Sequence, residues 1–390
     1  MKFILKLICI AVLVTSCTKD DDSVVRTPKD TQETPESESL VAKAIDTRLF
    51  KQINAVDEVL ITGEIWPTYT LKNVPMYLIH KNEDGHPDRA YIVNPKSAVM
   101  GAIAVPEIEN GGIDVVQYNA QAQAVFDIIN TPDEFGNSNG LYQFDYKIGN
   151  EDGYYVQIYS DEEVLAGENP STLPGGFFNF KDYVFPSIDF IIHEPYHVYQ
   201  ENWTFMGAPA DVLISKEVLE LRVLLHQIFK DYPNNTDDKK LVENKLKQFV
   251  AIRSTENKIL GSDSASFGEK YEGTPRYVEK LALRAAFPNR ANEPFIIGSI
   301  LDDDYGIKDQ DLLAMVIVNL EYEIGASTYY SMKVLNIEAQ AAIESGKTQF
   351  DIAKDYFKMT DSEIEKQLQN AKNTVDFAKI ETTVNKWLKL

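Results

Sequence analysis

Short apolar, β-rich runs broken by polar turn residues mark the first part of the chain, and apolar residues recur at helical spacing along the second. After an entry helix expected at about 41–59, four runs are rich in β-branched and aromatic residues and are bounded by Gly, Pro and Asn: Pro75–His80, Ala90–Asn94, Ala98–Val105 and Ile113–Tyr118. These read as strands. Gly140–Ile148 and Tyr154–Tyr159, joined by Gly149-Asn-Glu-Asp-Gly153, read as a hairpin whose alternating aromatics form a sheet face. Past Asn169-Pro-Ser-Thr-Leu-Pro-Gly-Gly176 the period becomes helical. Ser187 is placed to cap the apolar run into His193, and helices are expected at 211–230, 237–260, 262–286 and 311–335. His226 falls inside the first of these, among leucines and valines, and reads as a packed residue. Two further helices near 360–365 and 374–388 close the chain. The fold class expected is α+β, with a β-rich N-terminal subdomain at 43–168 and a mainly helical domain at 169–390.

The start of the chain has a different character. A basic beginning, a short apolar run and small residues lead into Leu13-Val-Thr-Ser-Cys17, the pattern of a signal peptide over residues 1–16. Its ending resembles the lipobox of bacterial lipoproteins, which implies that Cys17 becomes the lipidated first residue. Thr18-Lys-Asp-Asp-Asp22 resembles the surface-export signal of Bacteroidetes lipoproteins, which implies an outer-membrane lipoprotein exposed at the cell surface. Residues 17–42 contain few large apolar side chains and read as a flexible acidic tether. Cys9 lies in the removed segment, so no disulfide or thiolate metal site is expected. The formal net charge is −22, from 60 acidic and 38 basic residues. That excess argues against nucleic acid and against anionic lipid as partners, leaving the Cys17 anchor as the membrane contact.

Chemistry concentrates in His193-Glu194-Pro195-Tyr196-His197, an H-E-x-x-H sequence using two of the chain's five histidines. Residues four apart on a helix stand one above the other, so both imidazoles can reach one ion, with Glu194 beside them to act on a bound water. One Zn2+ suits this set, with a third protein ligand and an open position. Pro195 disfavours a straight helix and predicts either a kink or a helix beginning close to His193. Glu201 shares the face but sits about 12 Å along the axis from His193, too far to join the same ion. The third ligand should therefore come from a second helix. Glu272, with Gly273 and Pro275 marking a first helical turn, is the candidate. His80 and His86 lie in or beside a turn and are not expected to bind metal.

At Tyr271-Glu272-Gly273-Thr-Pro-Arg-Tyr277-Val-Glu279 the chain resembles the gluzincin metallopeptidases, in particular the aminopeptidase-N and leukotriene-hydrolase branch. The resemblance implies a zincin-like domain in which His193, His197 and Glu272 hold zinc, Glu194 is the general base and Glu279 supports the site from behind. Glu321-Tyr322-Glu323-Ile-Gly325-Ala326 is similar to that branch's Tyr-Glu-Lys-Gly-Ala segment, which implies an oxyanion-stabilising role for Tyr322. The likeness is confined to about 187–335. Glu272 lies much farther from His197 than in that branch. The Met-Glu-Asn segment that anchors a substrate's amine is absent, Pro174-Gly-Gly-Phe-Phe standing in that region. Endopeptidase action on peptide or protein is thus favoured over aminopeptidase action. Two other readings remain at this stage: a non-catalytic surface lipoprotein binding glycan or peptide, for which 20 Tyr and 19 Phe would serve, and a zincin-like protein without activity.

Overall fold

A computed structural model describes residues 41–130, 147–169, 184–204, 215–230, 238–262, 264–295, 300–301 and 309–389. Cys17, the tether through residue 40, the 140–146 arm of the expected hairpin and Pro174–Gly176 lie outside these residues. Ala42, expected in the tether, is buried and donates its N–H to Glu109. The protein is mixed α/β, with one five-stranded sheet and a mostly helical remainder. Its contacts divide it into two units. One holds the described residues up to Asn54 together with Lys72–Leu165, and the other holds Ala55–Leu71 and Ala166–Leu390. The division falls inside the first helix, α1 (Ala44–Leu60).

In the first unit β1 (Met76–Lys81), β2 (Pro87–Val93), β3 (Ile103–Ala104), β4 (Val115–Gln117) and β5 (Tyr155–Tyr159) are ordered β3-β4-β2-β1-β5. β1 and β2 are antiparallel, Met76 opposite Val93, across a turn in which Gly85 adopts φ +81°. That backbone region is open to glycine at little cost. The expected 98–105 strand shortens to β3, because the chain turns at Val99–Ala102 with Gly101 at φ +84°. Tyr154–Tyr159 supplies β5, which runs parallel to β1, Met76 opposite Tyr155, while the other arm of the expected hairpin lies outside the described residues. Tyr77, Ile79, Ala90 and Ile92 on one sheet face bury against Val125, Phe126 and Ile129 of α2 (Ala122–Asn130). Toward α1, the fully buried Asp46 accepts from Arg89 Nε at 2.7 Å, Tyr91 Oη at 2.9 Å and Tyr159 Oη at 2.7 Å. The short α3 (Asp161–Ala166) follows β5.

The helical unit contains α4 (Ser187–Gln200), α5 (Lys216–Phe229), α6 (Lys239–Leu260), α7 (Ser264–Tyr271), α8 (Gly273–Ala286), α9 (Asp309–Ala314), α10 (Leu320–Val334), α11 (Gln340–Glu344), α12 (Gln349–Phe357), α13 (Asp361–Asn373) and α14 (Phe377–Trp387). α10 packs on α7 and α8, and α4 packs on α8. Ser187 opens α4 instead of capping it; Pro186 holds the cap position without a side-chain hydrogen bond. α4 begins well before His193 and runs through Pro195 without interruption. Tyr69 Oη donates to the Ile192 carbonyl at 2.9 Å, beside the carbonyl of Ile191 that the proline cannot serve.

The single helix expected at 262–286 is two, separated at Glu272. Pro275 has no N–H for the Tyr271 carbonyl, so the α-helical ladder cannot pass. Gln200 Nε2 donates to that carbonyl instead, at 3.1 Å. The 311–335 stretch also departs from one regular helix, because Met315–Asn319 forms a π turn between α9 and α10. Arg222 Nη1 donates to the Ile317 carbonyl there at 2.7 Å. Among the described residues no helix is long and apolar enough to cross a membrane.

Candidate metal centre

α4 buries Ile188, Ile191, Ile192 and Tyr196, and this apolar anchorage fixes the rotation of the helix. His193 and His197 therefore stand side by side, with ring centroids 5.2 Å apart. The break between α7 and α8 sets Glu272 opposite them. Its Oε2 lies 3.4 Å from His193 Nε2 and 3.3 Å from His197 Nε2. One candidate ligand atom from each of the three residues falls within 4.8 Å of the others, so this group could hold a metal ion.

The donor set fits a tetrahedral ion. Two atoms each about 2.1 Å from such an ion stand about 3.4 Å apart, which matches both His–Glu separations. The far nitrogens are held from behind. His193 Nδ1 meets Glu279 Oε2 at 3.1 Å, and His197 Nδ1 meets Gln200 Oε1 at 2.8 Å. Because the Gln200 amide nitrogen is committed to the Tyr271 carbonyl, its oxygen must accept from a protonated His197 Nδ1. With Nδ1 so committed, Nε2 is the ring nitrogen that faces Glu272 and would turn to a bound ion. Arg276 Nη1 grips Glu279 Oε1 at 2.6 Å while Nη2 reaches Glu323 at 2.9 Å, tying α8 to α10.

The electrostatics describe a buried, strongly charged site. Burial works against the charge of Glu272, yet hydrogen bonds from His193 and His197 hold it well below the usual carboxylate range. Burial likewise opposes the His193 cation, but Glu272 and Glu279 outweigh it and lift the ring to about 10. Glu279 is held low against its own burial, by Arg276 foremost and then by His193. Glu194 goes the other way: burial raises its carboxyl despite the two nearby histidines. Its Oε2 lies 3.9 Å from His197 Nε2 and has no hydrogen-bond partner among the described residues. A buried carboxylate oxygen without a partner is costly. Facing a cluster of potential ligands, it is suited to a bound water.

Two aromatic rings flank the histidines. Tyr322 stacks on His193, with centroids 5.6 Å apart and planes 19° apart. Tyr271 stacks on His197 at 4.5 Å. Tyr322 is brought there by a close crossing of α8 and α10. A Cβ on Gly273 would lie 2.4 Å from Gly325 Cα, and one on Gly325 would lie 2.2 Å from the Glu269 carbonyl oxygen. Only glycines allow this approach.

His193, Glu194, His197, Glu272, Glu279 and Tyr322 thus lie in one neighbourhood. Sequence reasoning passed over Gln200, Tyr271 and Arg276. The signal for Gln200 was its place one turn after His197; that for Arg276 was its place one turn before Glu279. His80 belongs to the other unit, where Asp88 and Asp161 take its two ring nitrogens at 2.6 and 2.7 Å. His226 is fully buried in α5. Compared with protein-family models, curated proteins and solved structures, the chain finds no match.

Proposed function

We propose that this protein is a zinc-dependent peptidase of gluzincin type, acting on peptide or protein substrates and favouring internal bonds. The observation carrying this reading is the convergence of His193, His197 and Glu272 around the unpartnered oxygen of Glu194. Zinc held there would lower the pKa of a water and polarise a substrate carbonyl. Glu194 takes the water's proton, its raised affinity for protons suiting it to pass that proton on to the leaving amine. The Tyr322 hydroxyl donates to the carbonyl oxygen as negative charge develops on it. Glu279 and Gln200 hold the imidazoles in the tautomers that present Nε2. We further propose, from Leu13–Asp22, that the chain is an outer-membrane lipoprotein displayed at the cell surface through Cys17.

The test is metal analysis joined to a peptide-hydrolysis assay. The wild type should hold about one zinc per chain. Glu194→Gln should keep that zinc and lose hydrolysis by a factor of about 100 or more, whereas His193→Ala and Glu272→Ala should lose both. A wild type that takes up no zinc after reconstitution would overturn the reading and favour a lipoprotein that only binds its ligand. Full zinc without turnover on any peptide would favour the inactive zincin-like alternative.

A further inference from the structure

A cavity of about 570 Å³ lies in the helical unit, formed by the end of α5, the first half of α6, Leu301 and the turn between α13 and α14. It shares no residue with the metal centre. Its buried part is lined by Gln227, Gln248 and Leu301, and Lys230, Lys245 and Lys379 line the rest toward solvent. Gln248 is 2% exposed, and its amide nitrogen has no hydrogen-bond partner among the described residues. A buried amide left without an acceptor is costly. An acceptor oxygen brought into the cavity would recover that cost.

The charge of the lining points the same way. In a chain of net charge −22, three lysines line one cavity and Asp376 is the single acidic lining residue described. The Asp376 carboxylate is already occupied as the cap of α14, accepting from the Lys379 backbone N–H at 3.1 Å. Lys245 Nζ donates to the Ile228 carbonyl near the end of α5, which holds its charge at the cavity. Asp376 offsets one of the three positive charges, and a concave site with the remaining positive excess concentrates anions. The volume is that of a small-molecule site, too large for a lone inorganic ion. The side-chain amides of Gln227, Asn244 and Gln248 suit hydroxyl groups, which both donate and accept.

We propose that this cavity binds a small hydroxylated organic anion, a sugar acid or a sugar phosphate. The anionic group meets Lys230, Lys245 and Lys379, and an oxygen of the ligand accepts from Gln248 Nε2. The site is independent of the metal centre and stands or falls without it.

Titration calorimetry on the full chain tests the assignment, with glucuronate, glucose 6-phosphate and uncharged glucose as probes. Saturable binding of either anion, with none of glucose, is expected. Binding of glucuronate alone would identify a carboxylate ligand, and of glucose 6-phosphate alone a phosphate ligand. Lys230→Ala combined with Lys379→Ala should weaken the binding about tenfold or more, since bonds to charged groups are worth about 1.5–3 kcal/mol. These two lysines are not part of the buried core, so the double variant should fold. Gln248→Leu, with the wild-type circular dichroism as a check on folding, should weaken it too. Failure of both anions to bind, equal binding of glucose, or unchanged affinity in the lysine variant would overturn the proposal.

Discussion

Gln200 uses both ends of one amide. Its nitrogen takes the Tyr271 carbonyl that Pro275 leaves without a helical donor, and its oxygen fixes the His197 tautomer. Gln200→Leu should therefore weaken zinc binding about 10- to 100-fold, the usual effect of removing a partner behind a metal ligand; competition against a chelator reads this directly. An unchanged affinity would mean that the neighbouring rings alone orient His197. The H-E-x-x-H spacing was legible because it follows from helical geometry. Gln200 was not, because its role depends on a carbonyl from a distant helix. At the same scale His226 contributes to acid sensitivity. Burial lowers its pKa from the ordinary 6.5 to about 3. Its contribution is intact above pH 6.5 and drains as pH falls from there toward about 3, because the unfolded chain takes up a proton that the folded one resists. The slope attributable to this residue is at most about 1.4 kcal/mol per pH unit. His226→Leu should flatten the dependence of unfolding free energy on pH between 6.5 and 4.5, measured by urea titration. An unchanged slope would show that the ring is not the group responsible.

At the scale of elements, the crossing of α10 over the start of α8 is a backbone contact. Gly325→Ala places a methyl 2.2 Å from the Glu269 carbonyl oxygen, which the helices can accommodate only by separating. The expected cost is about 1–3 kcal/mol, accompanied by weaker metal binding as Glu272 and Tyr322 shift; chemical denaturation and chelator competition measure the two effects. In the sheet unit, Asp46→Ala strips the acceptor from Arg89, Tyr91 and Tyr159 together. The guanidinium, 5% exposed, keeps Asp88 but loses its fully buried counter-charge, and two tyrosine hydroxyls lose their acceptor with it. The loss should be about 3–5 kcal/mol, whereas Tyr159→Phe should cost only about 1 kcal/mol. Equal costs for the two variants would show that the charge pair matters little. Most strands and helices were legible from period, but their terminations were less so. The turn at Gly101 delayed the start of one strand, Pro275 broke one helix, and the π turn at Met315–Asn319 interrupted another.

For the whole molecule, metal and stability should be linked. Glu194, Glu272 and Glu279 are carboxylates in a buried region, and a divalent ion would add to the compensation that His193 and Arg276 already give them. An ion bound at 1,000 times its dissociation constant adds about 4 kcal/mol of stability. Zinc should therefore raise the unfolding temperature by several degrees, and a chelator should remove the gain. His193→Ala should melt at one temperature with or without zinc. A zinc-dependent gain persisting in that variant would place the ion elsewhere. Calorimetric scans supply the comparison.

The sequence by itself determined what depends on near neighbours along the chain. The helical period put His193 and His197 on one face, short β-rich runs bounded by turn residues marked β1 and β2, and Gly273 with Pro275 announced a helix starting after Glu272. It also carried the N-terminal Leu13–Cys17 pattern and the excess of acidic residues. Only the tertiary structure decided which distant groups meet. It paired β5 with β1 in parallel, set Gln200 against the Tyr271 carbonyl and Glu279 onto His193, and let Gly273 and Gly325 touch so that Tyr322 lies on His193. The reason is physical: local pattern reflects backbone geometry over a few residues, whereas these contacts join residues far apart in the chain. Their energies exist only once the core has fixed the helices in place.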